Sequence, residues 1–564
     1  MAGADAMSQF QAFRRQATQQ QFAQNLRTET LPAPTRGIIQ HENEAYMQPG
    51  GAIVADNWLP TMKGIKLRGG CIRFCDLHAL DVPVPPVPDP SRKPVVSAFT
   101  YITATQQRMF AAQQTKLFEC TTSTPVLVAS GRTSGNYGTA QITNAAGVNF
   151  LIAVNDAGDL PLRFNGTSWA TLANSSGTAS DGVTNIYGAT VSYVCKYRNR
   201  LYFVGSKSMS MWFLPVGAVG GALTEIPMSA STTKGGYILF AASWSIDAGD
   251  GIDDKLAIVT SEGEILIFSG GDPATDFTQE GRYAISPPLG INAWSNVGGD
   301  LLILTVDGIV PISQAITKSA GQLELALVTR AIKPMWRSEV ALKRAYPWTM
   351  AKWDDYGANF VTFPGGPAGN RYCLAMNNTT GAFARCVGWD AMCFIRKGAD
   401  MFFGTQDGIV MQADRTGKDD GLPYVATLVF GWDTFGQPSN EFIWHQARAV
   451  FSSGNAEPFQ PMLSACTDYV ITIPPPPPAG PDPGGGGGWD AGLWDTTPPS
   501  VSGAAVWDAS IPVLQPVRNT LWQSIGVFGF AHAAIVQVTV AQTVKPDVEL
   551  IAITATYEPA GVNV

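Results

Sequence analysis

The chain has 564 residues, a formal net charge of −8, only 15% charged side chains, and an abundance of Gly (58), Pro (39) and Trp (15). The acidic balance argues against a tight nucleic-acid binder, which needs a basic patch to displace counterions from phosphates. The length leaves room for two to four domains, and eight Cys without regular spacing read as buried small hydrophobes in a reducing compartment, not as a disulfide framework.

Residues 1–30 are rich in Gln and Ala, with no Gly or Pro from Met7 to Leu31, and predict a short helical N-terminal arm. The first residues lack the apolar core of a signal peptide. Residues 31–97 read as an irregular platform segment that ends in the Pro-rich linker Val82–Pro94. Within it Cys71, Cys75 and His78 are spaced C-x3-C-x2-H. A structural zinc site needs four ligands, so buried thiols and no metal are expected.

From 98 to 430 the text is strand–turn–strand throughout. Strands open at Met109, Phe150, Leu201, Leu256, Leu301, Phe360 and Met401, at intervals of 41 to 59 residues. Three of these units share one phrase: LAIVTSEGEILIF (Leu256–Phe268), LLILTVDGIVP (Leu301–Pro311) and DMFFGTQDGIVM (Asp400–Met411). Each runs apolar, then Thr, one residue, an acid, Gly, and apolar again. Asp407-Gly408 reads as a type I′ hairpin turn, with both central residues at positive φ. A period in this range marks propeller blades, and no long amphipathic helix is expected to interrupt them. Trp-Asp pairs recur, but at irregular spacing and without Gly-His partners, which excludes the Trp-Asp-repeat family.

Residues 431–564 form a further domain. Strand-like runs are Phe442–Phe451, Asp468–Ile473, Trp522–Phe530, Ala533–Val540 and Val548–Tyr557. A β-sandwich or platform is expected, carrying a Pro/Gly-rich loop at 474–488. Trp489, Trp494 and Trp507 then need an apolar home between subunits or domains. The most apolar stretch, Val527–Val544, carries His532, Gln537 and Gln542, so no transmembrane helix or stable membrane insertion is expected. The fold class is therefore all-β: an irregular β-propeller with an additional β-sandwich or platform domain and the helical arm.

Chemistry is sparse. The four His (41, 78, 445 and 532) sit in no metal-binding spacing, and no nucleophile elbow or phosphate loop occurs. Asp247, Asp250, Asp253 and Asp254 read as a solvated turn, as does Gly270–Glu280. Arg14-Arg15 and Lys196–Arg200 are the densest cations, and the latter reads as a salt-bridged strand edge. No catalytic, cofactor-binding or metal residue is expected, no cofactor, and no enzyme. No DNA-contacting residue is identified.

An irregular start with DNWLP (Asp56–Pro60) and LRGG (Leu67–Gly70) leads into NRLYFVGSKSMSMWFL and DKLAIVTSEGEILIFSGGDPATDF, and the chain ends on KPDVELIAITATYEPAG. In this plan it resembles the tail nozzle, or packaged-DNA stabilisation, proteins of short-tailed bacteriophages. The resemblance implies a homohexameric ring in the virion tail, assembled in the bacterial host cytoplasm. Its partners would be the tail adaptor that joins the portal, and tail fibre or needle proteins. Genomic DNA would be retained and then pass through its lumen without sequence readout. Two alternatives are a propeller module that recognises a host receptor or glycan, and a glycan-degrading enzyme.

Overall fold

The computed structural model describes residues 26–43, 47–78, 92–245, 254–318, 320–365, 371–437, 440–454, 459, 461–478 and 517–561. It divides into two compact units.

The larger unit, 70–381 with 385–415, is a seven-bladed propeller. The first four blades are four-stranded antiparallel sheets that follow the chain: 97–129, 137–171, 191–227 and 238–284. The fifth has three strands, Trp294–Val297, Asp300–Leu304 and Ile309–Pro311. The sixth opens on Met350–Trp353, Ala358–Thr362 and Tyr372–Asn377. The seventh pairs Cys393–Lys397, Asp400–Gly404 and Ile409–Thr416 with Gly70–Asp76, a strand from more than 300 residues earlier. The opening strands of neighbouring blades touch around the ring, and Cys393–Lys397 returns to Ser97–Ile102. Between the fourth and fifth blades the link is Phe240 stacked on Trp294, 6.1 Å apart. All seven expected strand openings fall inside the second strand of a blade.

The Thr of the repeated phrase is a turn device. Thr260, Thr305 and Thr405 are buried. In each turn the Gly N–H donates to the Thr carbonyl, at 3.2, 3.2 and 3.3 Å. The Thr260 and Thr405 hydroxyls also accept the N–H of the residue after Gly, at 2.9 and 3.1 Å. The type I′ reading of Asp407-Gly408 is corrected: only Gly408 is left-handed, at φ +76°. The turn is therefore a three-residue hairpin with a bulge at Gly. Two adjacent left-handed residues occur instead at Arg198 and Asn199, φ +43° and +56°, between the paired Tyr197 and Arg200.

Helices do interrupt the repeats, contrary to expectation. After its third strand the fifth blade runs into Ile312–Thr317 and later Lys333–Lys343. Pro334 suits the first turn of the second helix, where an N–H has no intrahelical partner. Trp336 is fully buried, and its Nε1 donates to the Thr305 carbonyl at 3.0 Å. The Thr329 hydroxyl from the same insertion accepts the Ile309 N–H at 3.1 Å, the bond that the turn threonine makes in the other two repeats.

The smaller unit takes both flanks of the propeller sequence: 1–69, 382–384 and 416–564. The domain borders expected at 98, 430 and 431 therefore shift. Gly70–Asp76 belongs to the propeller, whereas Tyr424–Phe430 pairs with His532–Val540. The longest pairing joins Glu441–Ser453 to Val548–Gly561. Arg27–Pro32 is a strand against Val548–Gly561, with Leu31 opposite Ile553, so the expected helix does not reach residues 27–30. Its alternating Thr28-Glu29-Thr30-Leu31 suits an edge strand. Residues 1–25 of the arm lie outside the described residues. Asp468–Ile473 is a turn and loop, not a strand, because Asp468 and Tyr469 are left-handed at φ +54° and +62°. The strand lies just before it, at Pro461–Thr467. Phe435 stacks on Tyr557 at 4.0 Å, and Phe442, Trp444 and His532 complete an aromatic core.

Candidate functional site

Among the described residues no group of three His, Cys, Asp or Glu is placed to hold a metal ion. Cys71 and Cys75 lie four apart on Gly70–Asp76, hence on one face of the strand, and both are buried. Burial and the neighbouring Asp76 push the Cys75 thiol up to about 12, so it is an inert apolar filler. His78 accepts the Lys93 N–H at 3.0 Å. All eight cysteines are buried and outside any disulfide.

Asp247, Asp250 and Asp253 lie outside the described residues. Asp254 is buried, and its carbonyl accepts the Tyr197 hydroxyl at 2.8 Å. In Gly270–Glu280, the Asp276 carboxylate accepts the N–H groups of Gly271 (3.0 Å) and Asp272 (2.6 Å), which hold its pKa below the ordinary value. That acidic stretch closes on itself. Arg200 reaches Asp272 at 3.0 Å, so the Lys196–Arg200 segment is tied into the sheet edge. Arg14-Arg15, Trp489, Trp494, Trp507 and most of the 474–488 loop lie outside the described residues.

Among the described residues, cavities include an open groove of about 420 Å³ on the first blade, lined by Arg108 and Glu119 among others, and two smaller ones. One, of about 190 Å³, lies against the helical insertion and is lined by Lys234, Asp307, Glu324, Lys333 and Arg337 among others. Its cations already have partners. Lys234 Nζ is on the carbonyls of Gly263 and Ile285, each at 3.2 Å, Lys333 pairs with Glu324, and Arg337 is 3.3 Å from Asp307.

The other, of about 180 Å³, lies where the opening strands of the first, second, fifth, sixth and seventh blades begin. None of its eleven lining residues is charged. Its lining includes Trp294, which stacks on Phe240 and whose Nε1 donates to the Tyr193 hydroxyl at 3.2 Å. Tyr193 in turn covers Gly138, where a Cβ would lie 2.3 Å from the ring. Phe99 and Tyr137 also line the cavity, with ring centroids 6.0 Å apart. Asn292 donates from Nδ2 to Asn136 Oδ1 and to the Tyr137 carbonyl, both at 3.0 Å. Those two bonds fix its amide and leave Oδ1 as its remaining acceptor. The Thr349 hydroxyl is buried without a hydrogen-bond partner. Sequence reasoning missed this site. Its residues share no type, only a position at the start of each opening strand, and that position emerges only once the blades are delimited.

Neither a family model nor a curated protein matches the chain. Among solved structures, the chain is similar to YCF48 from Cyanidioschyzon merolae, at 11% identity over 58% of this chain and 97% of that one, TM-score 0.32. It is also similar to Saccharomyces cerevisiae Sqt1 (9%, covering 65% and 96%, TM-score 0.35) and to BBS1N solved in complex with ARL6DN (10%, covering 60% and 96%, TM-score 0.36). The propeller assignment itself rests on the strand order and ring closure above.

Proposed function

We propose that the chain is a non-enzymatic structural protein of a phage virion: a tail nozzle subunit that assembles as a homohexameric ring beneath the tail adaptor, retains packaged DNA, and forms part of the conduit for its ejection. The observation that carries this reading is the closure of the propeller. Gly70–Asp76 supplies the outer strand of the seventh blade, so the ring cannot open without stripping a strand from a sheet. A wall that holds back a packaged genome needs that kind of latch. The acidic chain supports it as well, because a conduit that repels phosphate lets DNA leave. Tail fibre or needle proteins would dock on the same ring.

The test is mass photometry and negative-stain imaging of the purified protein, alone and with the tail adaptor. A six-membered ring is the expected result, together with antibody labelling of virions at the tail. A particle that stays monomeric with the adaptor, or virions unlabelled at the tail, overturns the proposal.

A further inference from the structure

Residues 473–478 read Ile-Pro-Pro-Pro-Pro-Pro and lie in the smaller unit, outside any strand or helix. We infer that this run is a docking ligand: a polyproline II ridge, held to the protein by one edge, that offers its other two edges to an aromatic-lined groove on a partner protein.

The sequence sets the conformation. Each proline ring holds φ at about −65°. A residue that precedes proline is driven out of the helical region into extended backbone. Residues 474–477 meet both conditions, which leaves polyproline II, a helix of about three residues per turn.

Burial follows that period. Pro477 is buried and Pro474, one turn back, is half-buried, whereas Pro475, Pro476 and Pro478 are exposed. Positions 474 and 477 form the edge turned to the protein. Positions 475 and 478 form a second edge and 473 and 476 a third, both open to solvent; Ile473 is 44% exposed.

The run is tied at both ends. The Thr472 N–H donates to Cys466 Sγ at 3.1 Å, and the Thr539 hydroxyl donates to the Pro477 carbonyl. Cys466 lies opposite Ala533 where Pro461–Thr467 pairs with His532–Val540. Residues 472–477 span about 19 Å at the polyproline II rise, and the strand from Ala533 to Thr539 spans about 20 Å. The anchors are therefore one extended run apart.

Proline has no N–H, so the two open edges offer only ring surface and carbonyl acceptors. Grooves lined by aromatic side chains recognise that combination, and a ridge already ordered loses little entropy on binding. No Asp, Glu, Lys, Arg or His occurs in 469–478, so recognition needs no counter-charge. The inference does not rest on the nozzle reading. The ridge belongs to the smaller unit of a single chain, so ring assembly and ridge binding fail separately.

The experiment is fluorescence anisotropy of a dye-labelled WW domain, a small reader with an aromatic polyproline groove, titrated with the full chain. Saturable binding is expected with a Kd below about 1 mM. The Kd should change less than about twofold between roughly 50 and 500 mM NaCl, because the ligand is neutral. Pro475→Ala and Pro478→Ala, at exposed positions that leave the fold intact, are each expected to weaken binding about five- to tenfold. Pro474→Ala and Pro477→Ala, on the edge turned to the protein, are expected to stay within about twofold of the parent. The inference is overturned if the WW domain does not bind below about 1 mM, or if a WW variant lacking its groove tryptophan binds equally well. It is also overturned if substitutions on the two edges weaken binding alike.

Discussion

The Arg163 guanidinium grips the Asp181 carboxylate at two points, Nε to Oδ2 at 2.6 Å and Nη2 to Oδ1 at 2.7 Å, with neither side chain accessible to solvent. The remaining Arg163 donors go to the carbonyls of Val183, Thr184 and Val219. One side chain of the second blade thereby pins both the segment after it and the loop between the third and fourth strands of the third blade. Burial pushes the Asp181 carboxyl up, but the bonds from Arg163 and the Val183 N–H outweigh it and hold the carboxyl below its ordinary value. Its stabilisation is therefore complete above the ordinary carboxylate range and is lost as pH falls through the lower folded value. Asp181→Asn leaves a buried guanidinium uncompensated and is expected to cost about 3–5 kcal/mol at pH 7. Urea unfolding of the two proteins at pH 7 measures it, and a loss under 1 kcal/mol would show that the pair is not the anchor.

Asp390 has the opposite sign. Burial raises it to about 6, against the opposing effects of Arg371, 2.8 Å away, and the Gln406 N–H. A carboxyl whose folded pKa is raised favours folding while protonated. Its contribution is present below about pH 4 and fades as pH climbs to about 6. Asp390→Asn is expected to stabilise the propeller at pH 7.5 by about 1–3 kcal/mol relative to the parent and to flatten the pH 4–6 part of its stability curve. Thermal melts at pH 4 and pH 7.5 decide it. An asparagine variant less stable at pH 7.5 would mean that the ion pair with Arg371 outweighs the burial.

In the smaller unit, His532 lies among Phe435, Phe442 and Trp444, with both ring nitrogens buried and unpartnered. Burial lowers it to about 4. The neutral ring is thus favoured by folding, and stability is lost as pH falls from about 6.5 toward 4. His532→Phe keeps the ring and removes the titration. It is expected to match or exceed the parent at pH 7 and to gain about 2–3 kcal/mol over it at pH 4. Guanidinium unfolding at the two pH values tests this, and an unchanged difference between them would refute the assignment.

The propeller was legible because its turns are chemical. A buried threonine that caps its own hairpin must be written as Thr, and the left-handed position after it as Gly, so three blades carry the same phrase. The turn type was not legible. Asp-Gly is compatible with both a two-residue and a three-residue hairpin, and the hydroxyl of Thr405 selects the longer one. The helical insertion escaped notice because Lys333–Lys343 commits only Trp336, Val340 and Lys343 to the interior, too few for a sustained period. Gly70–Asp76 carried no local sign of its partner, since pairing across more than 300 residues leaves no mark in either strand. The cavity beside Trp294 was invisible for a related reason: five blades each contribute two or three residues, and only ring closure brings them together.

Gly298 and Gly408 separate backbone strain from crowding within the propeller. Both are left-handed, at φ +62° and +76°. A Cβ on Gly298 would meet nothing within 4 Å, whereas one on Gly408 would lie 2.3 Å from His78 Cε1 and 2.7 Å from the Lys93 carbonyl oxygen. The Gly408 carbonyl also accepts the Leu77 N–H at 3.1 Å, just beyond the closing strand Gly70–Asp76. Gly298→Ala therefore bears the left-handed cost alone, about 1 kcal/mol. Gly408→Ala adds clashes with the His78 ring and with the Lys93 carbonyl oxygen, of which only the ring can turn away, and is expected to cost at least about 3 kcal/mol while loosening the latch. Amide hydrogen exchange in Gly70–Asp76 reports the loosening directly. Exchange there should accelerate in Gly408→Ala and stay at the parent rate in Gly298→Ala. Equal exchange in the two variants would detach the Asp407-Gly408 turn from closure of the ring.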